Sequence, residues 1–158
     1  MPNWCDNTIS ISGPTSSLEK LIEAIDHKGD NLLETMNPIG DWDYGLAVEA
    51  WGTKWDVSTD NLHYEEGDPG IMLIYGSFMS AWGPPLEAFM HFAKEHLGVH
   101  VEISYFEPGM AFVGDWDSET KVNEHYEIDE ENLDEIPERL CDMFDLKYFY
   151  EKEDEYDD

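Results

Sequence analysis

Hydrophobic and polar positions divide this chain into short elements, and the clearest of them lies near its middle. The run from Ile71 to Tyr75 is apolar without a break, which is typical of a strand buried on both faces. Pro84 and Pro85 follow where a helix can start, because proline is tolerated in a first helical turn. The apolar positions of that helix share one face: Leu86, Phe89, Met90, Ala93 and Leu97. The pattern predicts a central strand and a core helix, with Ile74 and Phe89 inside the core.

The other segments show either a two-residue or a helical period. Alternating apolar positions predict further strands at residues 4–13, 54–65, 99–105, 110–116 and 120–128. Helical spacing predicts a first helix capped by Ser16, with Glu19 at the capping-box position, and a last helix near residues 134–145. Residues 30–53 are interrupted by glycines and show no sustained period. They are interpreted as an inserted loop with a helical turn near residues 46–50.

In chain order these elements run strand, helix, strand, strand, helix, strand, followed by extra strands and a helix. The first six match the split βαβ, or ferredoxin-like, arrangement. The sequence therefore predicts an α+β fold: an antiparallel sheet with two packed helices, plus extra C-terminal strands and a helix. It also predicts a ferredoxin-like domain over residues 1–117 with the insertion 30–53, an acidic C-terminal extension with a helix over 118–147, and an acidic mobile tail over 148–158.

The charge balance is far from that of an average protein. The chain contains 37 Asp and Glu residues against 8 Lys and Arg, a formal net charge of −29. Nineteen of the acidic residues and four of the basic ones lie in the segment 115–158. Such a surface should repel nucleic acid and anionic membranes and attract basic partners. The alternative interpretation is a structural module whose acidic surface only keeps it in solution.

Carboxylates on strand edges and helix faces stand ~5–7 Å apart, a spacing that imitates a row of phosphates. The leading hypothesis is therefore a non-enzymatic protein that binds a basic, nucleic-acid-binding host protein, as a nucleic-acid mimic. Aromatic residues among the acids would supply points of strong contact. The candidate partner-binding residues are Glu124, Tyr126, Glu127, Asp129, Glu130, Glu131, Asp134, Glu135 and Tyr148. Self-association stays open.

Four motifs occur in an order that resembles a known family. They are MPNWC at the start, WGTKWD at residues 51–56, AWGPP at 81–85 and EPGMAFVG at 107–114. The chain is similar to the YubB ferredoxin-like domain family, small proteins of bacteriophages and conjugative plasmids. This resemblance implies a ferredoxin-like fold and an origin in a mobile element, where an anti-defence or host-takeover role would fit. It implies no activity and no catalytic residue, and the acidic segment beyond residue 117 lies outside it.

The motif WGTKWD offers a second candidate site. Trp51, Lys54 and Trp55 are close in the sequence and would form an aromatic site for a base or a peptide, with the lysine stacked on a ring or pairing an anion. Under this second hypothesis the protein handles a small ligand or a nucleotide. The alternative interpretation is that the tryptophans belong to the core and that the lysine extends past them to solvent.

The sequence shows no motif for catalysis, metal binding or cofactor binding. Its six histidines fit no zinc pattern, and it has no phosphate-binding glycine loop. We therefore expect no enzymatic activity, no metal and no cofactor. Cys5 and Cys141 are expected to be free thiols of a reducing compartment. No secretory signal and no apolar run of ~20 residues is visible, so the expected location is the cytoplasm, that of the host cell if a phage encodes the protein.

Overall fold

Six antiparallel strands in one sheet form the centre of the molecule. The structure is a computed structural model that describes residues 3–150. The strands are β1 Trp4–Pro14, β2 Leu62–Glu66, β3 Ile71–Ala81, β4 His100–Glu107, β5 Phe112–Asp117 and β6 Asn123–Glu127. The helices are α1 Thr15–His27, α2 Leu32–Met36, α3 Tyr44–Trp51, α4 Leu86–Glu95 and α5 Glu138–Met143, with a 3-10 turn at Leu133–Glu135. The strand order is β2-β3-β1-β4-β5-β6, and every neighbouring pair is antiparallel. The predicted α+β class is therefore confirmed.

The two faces of the sheet have different neighbours. Along β1, Ile9 and Ile11 point to one face and are buried, whereas Ser10 points to the other. Helices α1 to α4 pack on the first face in one hydrophobic cluster. Ile74 and Phe89 belong to this cluster and are buried, as predicted. We call the first face the helix-covered face and the opposite one the second face.

A smaller hydrophobic cluster, the second cluster, lies on the second face. It joins Phe106 of β4 and Val113 of β5 to the chain that follows β6. Its other buried members are Ile128, Leu133, Ile136, Leu140, Cys141 and Leu146. The C-terminal segment thus covers one end of the second face, while Tyr75 and Met79 of β3 stay exposed at the other end.

The segment between α1 and β2 differs from the predicted loop and strand. The insertion 30–53 contains two helices, α2 and α3, and the strand predicted at 54–65 begins only at Leu62. The cause is Asp56, whose carboxylate accepts hydrogen bonds from two N–H groups in the first turn of α2, at 2.7 and 3.0 Å. A carboxylate at a helix N-terminus is favourable, so this part of the chain stays with α2 instead of extending the sheet.

Two predictions about β3 and α4 were wrong. The run 71–75 is buried on one face only, and Ile71 is 41% exposed, because no helix covers the second face there among the described residues. Leu97 was placed on the buried face of the helix, but it lies beyond the end of α4 and is 89% exposed. Gly98 follows with a φ of +85°, a conformation that suits glycine and turns the chain away from the helix.

Helix ends account for the remaining differences. α1 begins at Thr15 without a side-chain cap, so the predicted cap at Ser16 was wrong. The helix predicted at 134–145 is a 3-10 turn followed by α5, because Pro137 disfavours helical backbone at the residue before it.

The predicted tail 148–158 lies outside the described residues from position 151 onward. Across residues 3–150, every helix is too short or too polar to cross a bilayer.

Candidate acidic interface

Acidic residues face one another across neighbouring strands of the second face. In the antiparallel register, Glu102 of β4 lies opposite Asp117 of β5, and Asp115 of β5 lies opposite Glu124 of β6. Residues directly opposite have Cβ atoms about 4.5–5.5 Å apart, and like charges at such positions are unfavourable. These four carboxylates form two adjacent like-charge pairs, which we call the acidic row.

A histidine stands beside the first pair. Nε2 of His100 lies 2.9 Å from Oδ2 of Asp117 and 3.4 Å from Oε1 of Glu102. Burial alone would lower the pKa of His100, but the hydrogen bond and charge of Asp117, with the charge of Glu102, raise it. Burial raises the pKa of Glu102. Burial also acts to raise the pKa of Asp117, but the hydrogen bond from His100 and two backbone N–H groups lower it. The net charge of Glu102, Asp117 and His100 taken together therefore depends on whether the histidine is protonated.

The second pair is partly neutralised by α5. Arg139 of that helix forms an ion pair with Asp115. Its neighbours Leu140 and Cys141 are buried in the second cluster, and this packing holds the arginine over the sheet. Each like-charge pair thus has one basic side chain beside it. Four carboxylates against one arginine and one histidine leave the acidic row negative.

The predicted partner-binding residues are spread over β6, the loop after it and the C-terminal helical turns. All the predicted carboxylates are exposed: Glu124, Glu127, Asp129, Glu130, Glu131, Asp134 and Glu135. Glu124 belongs to the acidic row, whereas Glu127 points to the opposite side of β6. Asp129 accepts hydrogen bonds from the N–H groups of Glu131 and Asn132, both within 2.9 Å. These acids face solvent, but on more than one side of the molecule.

The two predicted tyrosines have different surroundings. Tyr126 is half-buried against the second cluster, and its hydroxyl donates to Glu124 at 3.4 Å. Tyr148 lies beyond α5 and is exposed. The structure therefore places Tyr126 at the acidic row and Tyr148 on the C-terminal segment.

The tryptophan-rich motif divides between the core and the surface. Trp51 is 3% exposed and its indole N–H donates to the Asn37 carbonyl at 2.9 Å, so its ring belongs to the core and not to a surface site. Trp55 is 40% exposed, and the Lys54 ammonium lies 4.2 Å from the centre of its ring. The ring of Trp4 lies beside that of Trp55, with centres 6.0 Å apart. The structure keeps Lys54 and Trp55 together and puts Trp4 where the sequence suggested Trp51.

Two cavities adjoin Trp4. The larger, of about 460 Å³, is also lined by Trp55, and the smaller, of about 420 Å³, by Glu107. Trp4, Asp6 and Met79 line both cavities. Burial raises the pKa of Asp6.

Neither the two buried thiols nor the group of His100, Glu102 and Asp117 carries a proposed function. Burial raises the pKa of Cys5 to about 12, so this thiol is neutral near pH 7 and a poor nucleophile. Cys5 points to the helix-covered face and Cys141 lies in the second cluster, so the two stay free on opposite sides of the sheet. His100 and its two acidic neighbours bring three donor atoms within 4.8 Å of one another. Their ion pairs account for this arrangement.

Sequence reasoning missed the acidic row because the row depends on strand register. A strand pattern does not say which residues of two strands face each other. The spacing of His100 and Glu102, and of Asp115 and Asp117, was the available signal, since residues two apart share a face of a strand. Comparisons with known proteins found no relative of this chain. No protein-family model matches it, and no curated protein and no solved structure matches it either.

Proposed function

We propose that this protein binds a basic, nucleic-acid-binding protein, with the acidic row and the exposed acids after β6 as the contact surface. The acidic row carries the proposal, since it holds Glu102, Asp117, Asp115 and Glu124 in like-charge pairs on a sheet face. Such pairs are unfavourable where they are not fully neutralised, and the four carboxylates of the row share one arginine and one histidine. Residues that lower stability are typical of functional surfaces, where the benefit lies in binding.

The spacing of the row supports competition with nucleic acid. Duplex DNA carries one charge per ~1.7 Å of axis, or one per ~3.4 Å of each strand. Neighbouring strands of a sheet lie ~5 Å apart, so the spacing of carboxylates across the row is comparable to the spacing of phosphates along one DNA strand. With a formal net charge of −29, the protein would attract the basic side chains that otherwise contact phosphates. Long-range attraction would mainly speed association.

We also propose that residues 1–117 form a ferredoxin-like domain of the YubB type. The strand order β2-β3-β1-β4, with α1 and α4 on one face, supports the split βαβ arrangement. The motif resemblance supports an origin in a bacteriophage or conjugative plasmid. In that setting the binder would act in the host cytoplasm in an anti-defence or host-takeover role, without enzymatic activity or a cofactor.

A ligand-handling function at the tryptophans is the second candidate. The contact between Lys54 and Trp55 and the cavity of about 460 Å³ beside it favour this reading. A structural module with a solubilising acidic surface is the outcome if neither surface binds a partner.

Charge-neutral variants with a matched control test the main proposal. Glu102→Gln with Glu124→Gln removes two charges from the acidic row. Glu19→Gln with Glu23→Gln removes two exposed charges from α1, on the other side of the sheet. A basic partner is captured from host lysate and titrated at two salt concentrations, with and without duplex DNA. We expect the row variant to bind about tenfold more weakly and the α1 variant to stay within about twofold.

A second variant extends the test to the segment selected from the sequence. Glu130→Gln, Glu131→Gln, Asp134→Asn and Glu135→Gln keep the side-chain shapes and remove four charges. We expect weaker binding with an unchanged melting temperature, because these acids are exposed. Equal losses in the row variant and the α1 control, or a complex that DNA does not displace, would leave the solubilising interpretation standing.

A further inference from the structure

We propose that the cavities beside Trp4 form a binding site for a guanidinium group, contributed by an arginine side chain of the basic partner. We call this the Trp4 site, formed by Trp4, Asp6, Trp55 and Met79. The inference rests on the proposed function, because it names the side chain that such a partner would present. The Trp4 site would add a concave contact that is selective for arginine, whereas the acidic row attracts any cation.

Asp6 supplies the charge of the site. It lies on the central strand β1, opposite Met79 of β3 and Phe106 of β4, and its side chain is half-buried. Within residues 3–150, no hydrogen-bond donor reaches its carboxylate. A partly desolvated carboxylate without a donor is unfavourable. Its two oxygens match the paired N–H groups of a guanidinium.

Two other carboxylates around the site, those of Glu107 and Asp56, already have partners. Glu107 accepts hydrogen bonds from the N–H groups of Gly109 and Met110, at 2.7 and 2.6 Å. Asp56, which lines the larger cavity, caps α2. Both carboxylates serve the fold. Asp30 also lines the larger cavity but is exposed, whereas Asp6 is half-buried, lies between the two cavities and offers both oxygens to a ligand.

The tryptophans supply the faces on which a planar cation stacks. The rings of Trp4 and Trp55 are tilted by 36° with centres 6.0 Å apart. The Lys54 ammonium already lies over the Trp55 ring, and it is 5.8 Å from the centre of the Trp82 ring, so a cation has room beside these ring faces. Trp82 has a φ of +71°, rare for a bulky residue, and its ring stays exposed.

Arginine fits this site better than lysine. A guanidinium is planar, is weakly hydrated and can stack on an aromatic ring while it donates two parallel hydrogen bonds to one carboxylate. An ammonium is a strongly hydrated point charge and gains less from a wall of rings. The arrangement of a half-buried carboxylate beside two indole rings therefore favours arginine.

The test uses small probes and the tryptophan indole N–H signals in NMR spectra. N-acetyl-arginine amide, N-acetyl-lysine amide and N-acetyl-citrulline amide are titrated separately, citrulline being the neutral analogue of arginine. We expect arginine to shift the signals of Trp4 and Trp55 and to leave buried Trp51 in place. Citrulline should shift none of them. Equal affinity for lysine and arginine, or shifts spread over all indoles, would overturn the assignment.

Paired variants separate the site from diffuse attraction. Asp6→Asn should weaken binding of the arginine probe about tenfold, whereas Asp142→Asn, an exposed acid of α5, should change it less than about twofold. Lys54→Gln should tighten binding about twofold by removing a like charge, and the exposed control Lys147→Gln should not. Trp55→Leu should weaken binding as well, and it keeps the test decisive if Asp6→Asn alters the melting temperature.

The failure of this inference is distinguishable from the failure of the proposed function. The acidic-row variant Glu102→Gln with Glu124→Gln should keep its affinity for the arginine probe, because the row lies outside both cavities. A captured partner that loses affinity with the row variant but not with Asp6→Asn would overturn the Trp4 site and support the proposed function. Equal effects of Asp6→Asn and Asp142→Asn on the arginine probe would overturn the Trp4 site alone.

Discussion

The two faces of the sheet use the same strands in opposite ways. On the helix-covered face, Ile11 of β1 lies opposite Ile74 of β3 and Val101 of β4, and all three are buried. One residue further along β4, Glu102 lies opposite Asp117 on the second face. A single step along a strand therefore separates the main core from a pair of like charges, because successive side chains point to opposite faces.

The contrast shows where stability comes from and where it is lost. Burial of one large apolar side chain stabilises a fold by roughly 1.5–3 kcal/mol, so the continuous cluster of the helix-covered face supplies most of the driving force. The second face combines a smaller cluster with unfavourable charge pairs and open cavities. The stable face permits the other to carry charged groups and open cavities.

The largest expected effect is that of a charge placed in the helix-covered face. Ile74→Asp would bury an unpaired carboxylate and should cost more than about 4 kcal/mol, enough to prevent stable folding. The matched change Thr8→Asp, on the second face opposite the uncharged Ser77 and Ser104, should cost less than about 1 kcal/mol. Thermal and urea unfolding measure both. An Ile74→Asp variant with the wild-type melting curve would remove the distinction between the faces.

A cavity in the second cluster should have a smaller and more local effect. Leu140→Ala should cost about 2–4 kcal/mol, because Leu140 is fully buried. We expect amide hydrogen exchange to speed up in α5 before it does in β1, because the buried residues of α5, Leu140 and Cys141, belong to the smaller cluster. Simultaneous loss of protection in both elements would mean that the two faces unfold as one unit.

Gly114 tests how closely β5 and β6 must approach to form the acidic row. An added Cβ would meet the Glu124 carbonyl and the Tyr105 hydroxyl, which bonds to the Asn123 side chain at 2.8 Å. Gly114→Ala should therefore cost about 1–3 kcal/mol and weaken partner binding by displacing β6. Gly67→Ala, whose added Cβ would meet its nearest atom at 3.9 Å, is the control for stability. Equal melting temperatures would contradict the close approach.

The ion pair of His100 predicts a pH dependence. Because the pKa of His100 is raised by folding, its stabilisation is complete below its ordinary value of 6.5 and is lost as pH rises through the raised value. The lowered pKa of Asp117 gives stabilisation above its ordinary value of 3.8, lost as pH falls through the lowered value. We expect the highest melting temperature between these limits, about 2–4 °C above that at pH 8. The raised pKa of Glu102 adds in the same direction, since its protonation on acidification favours folding.

Replacing the histidine sharpens this test. His100→Gln should flatten the melting temperature between pH 6 and pH 8, whereas the exposed control His63→Gln should not. A profile unchanged by His100→Gln would mean that the acidic row owes nothing to the histidine.

The smallest expected effect is that of salt. At a net charge of −29 the acids repel one another, and salt screens this repulsion beyond ~8–10 Å near physiological ionic strength. The melting temperature should rise by about 1–3 °C between low and moderate salt. A fall would show that the acids are mostly paired and that the second face is not under strain from its charges.

Local side-chain period alone predicted much of the fold. The alternation of apolar and polar residues located β1, and the uninterrupted run at 71–75 located β3. Helical spacing located α4 and put Phe89 in the core. These features could be predicted because a buried element needs apolar residues at its own repeat, whatever surrounds it. The composition likewise determined the net charge.

Tertiary structure decided everything that depends on contacts between distant segments. Alternation indicates that a strand has two faces, but only the packing of α1 to α4 decided which face of β3 is covered. The register of β4 and β5 decided that Glu102 meets Asp117. The same holds for the tryptophans: closeness in the sequence suggested Trp51 beside Trp55, yet the fold buries Trp51 and brings Trp4 to Trp55. Such pairings depend on the free energy of the whole molecule, which no short window of sequence contains.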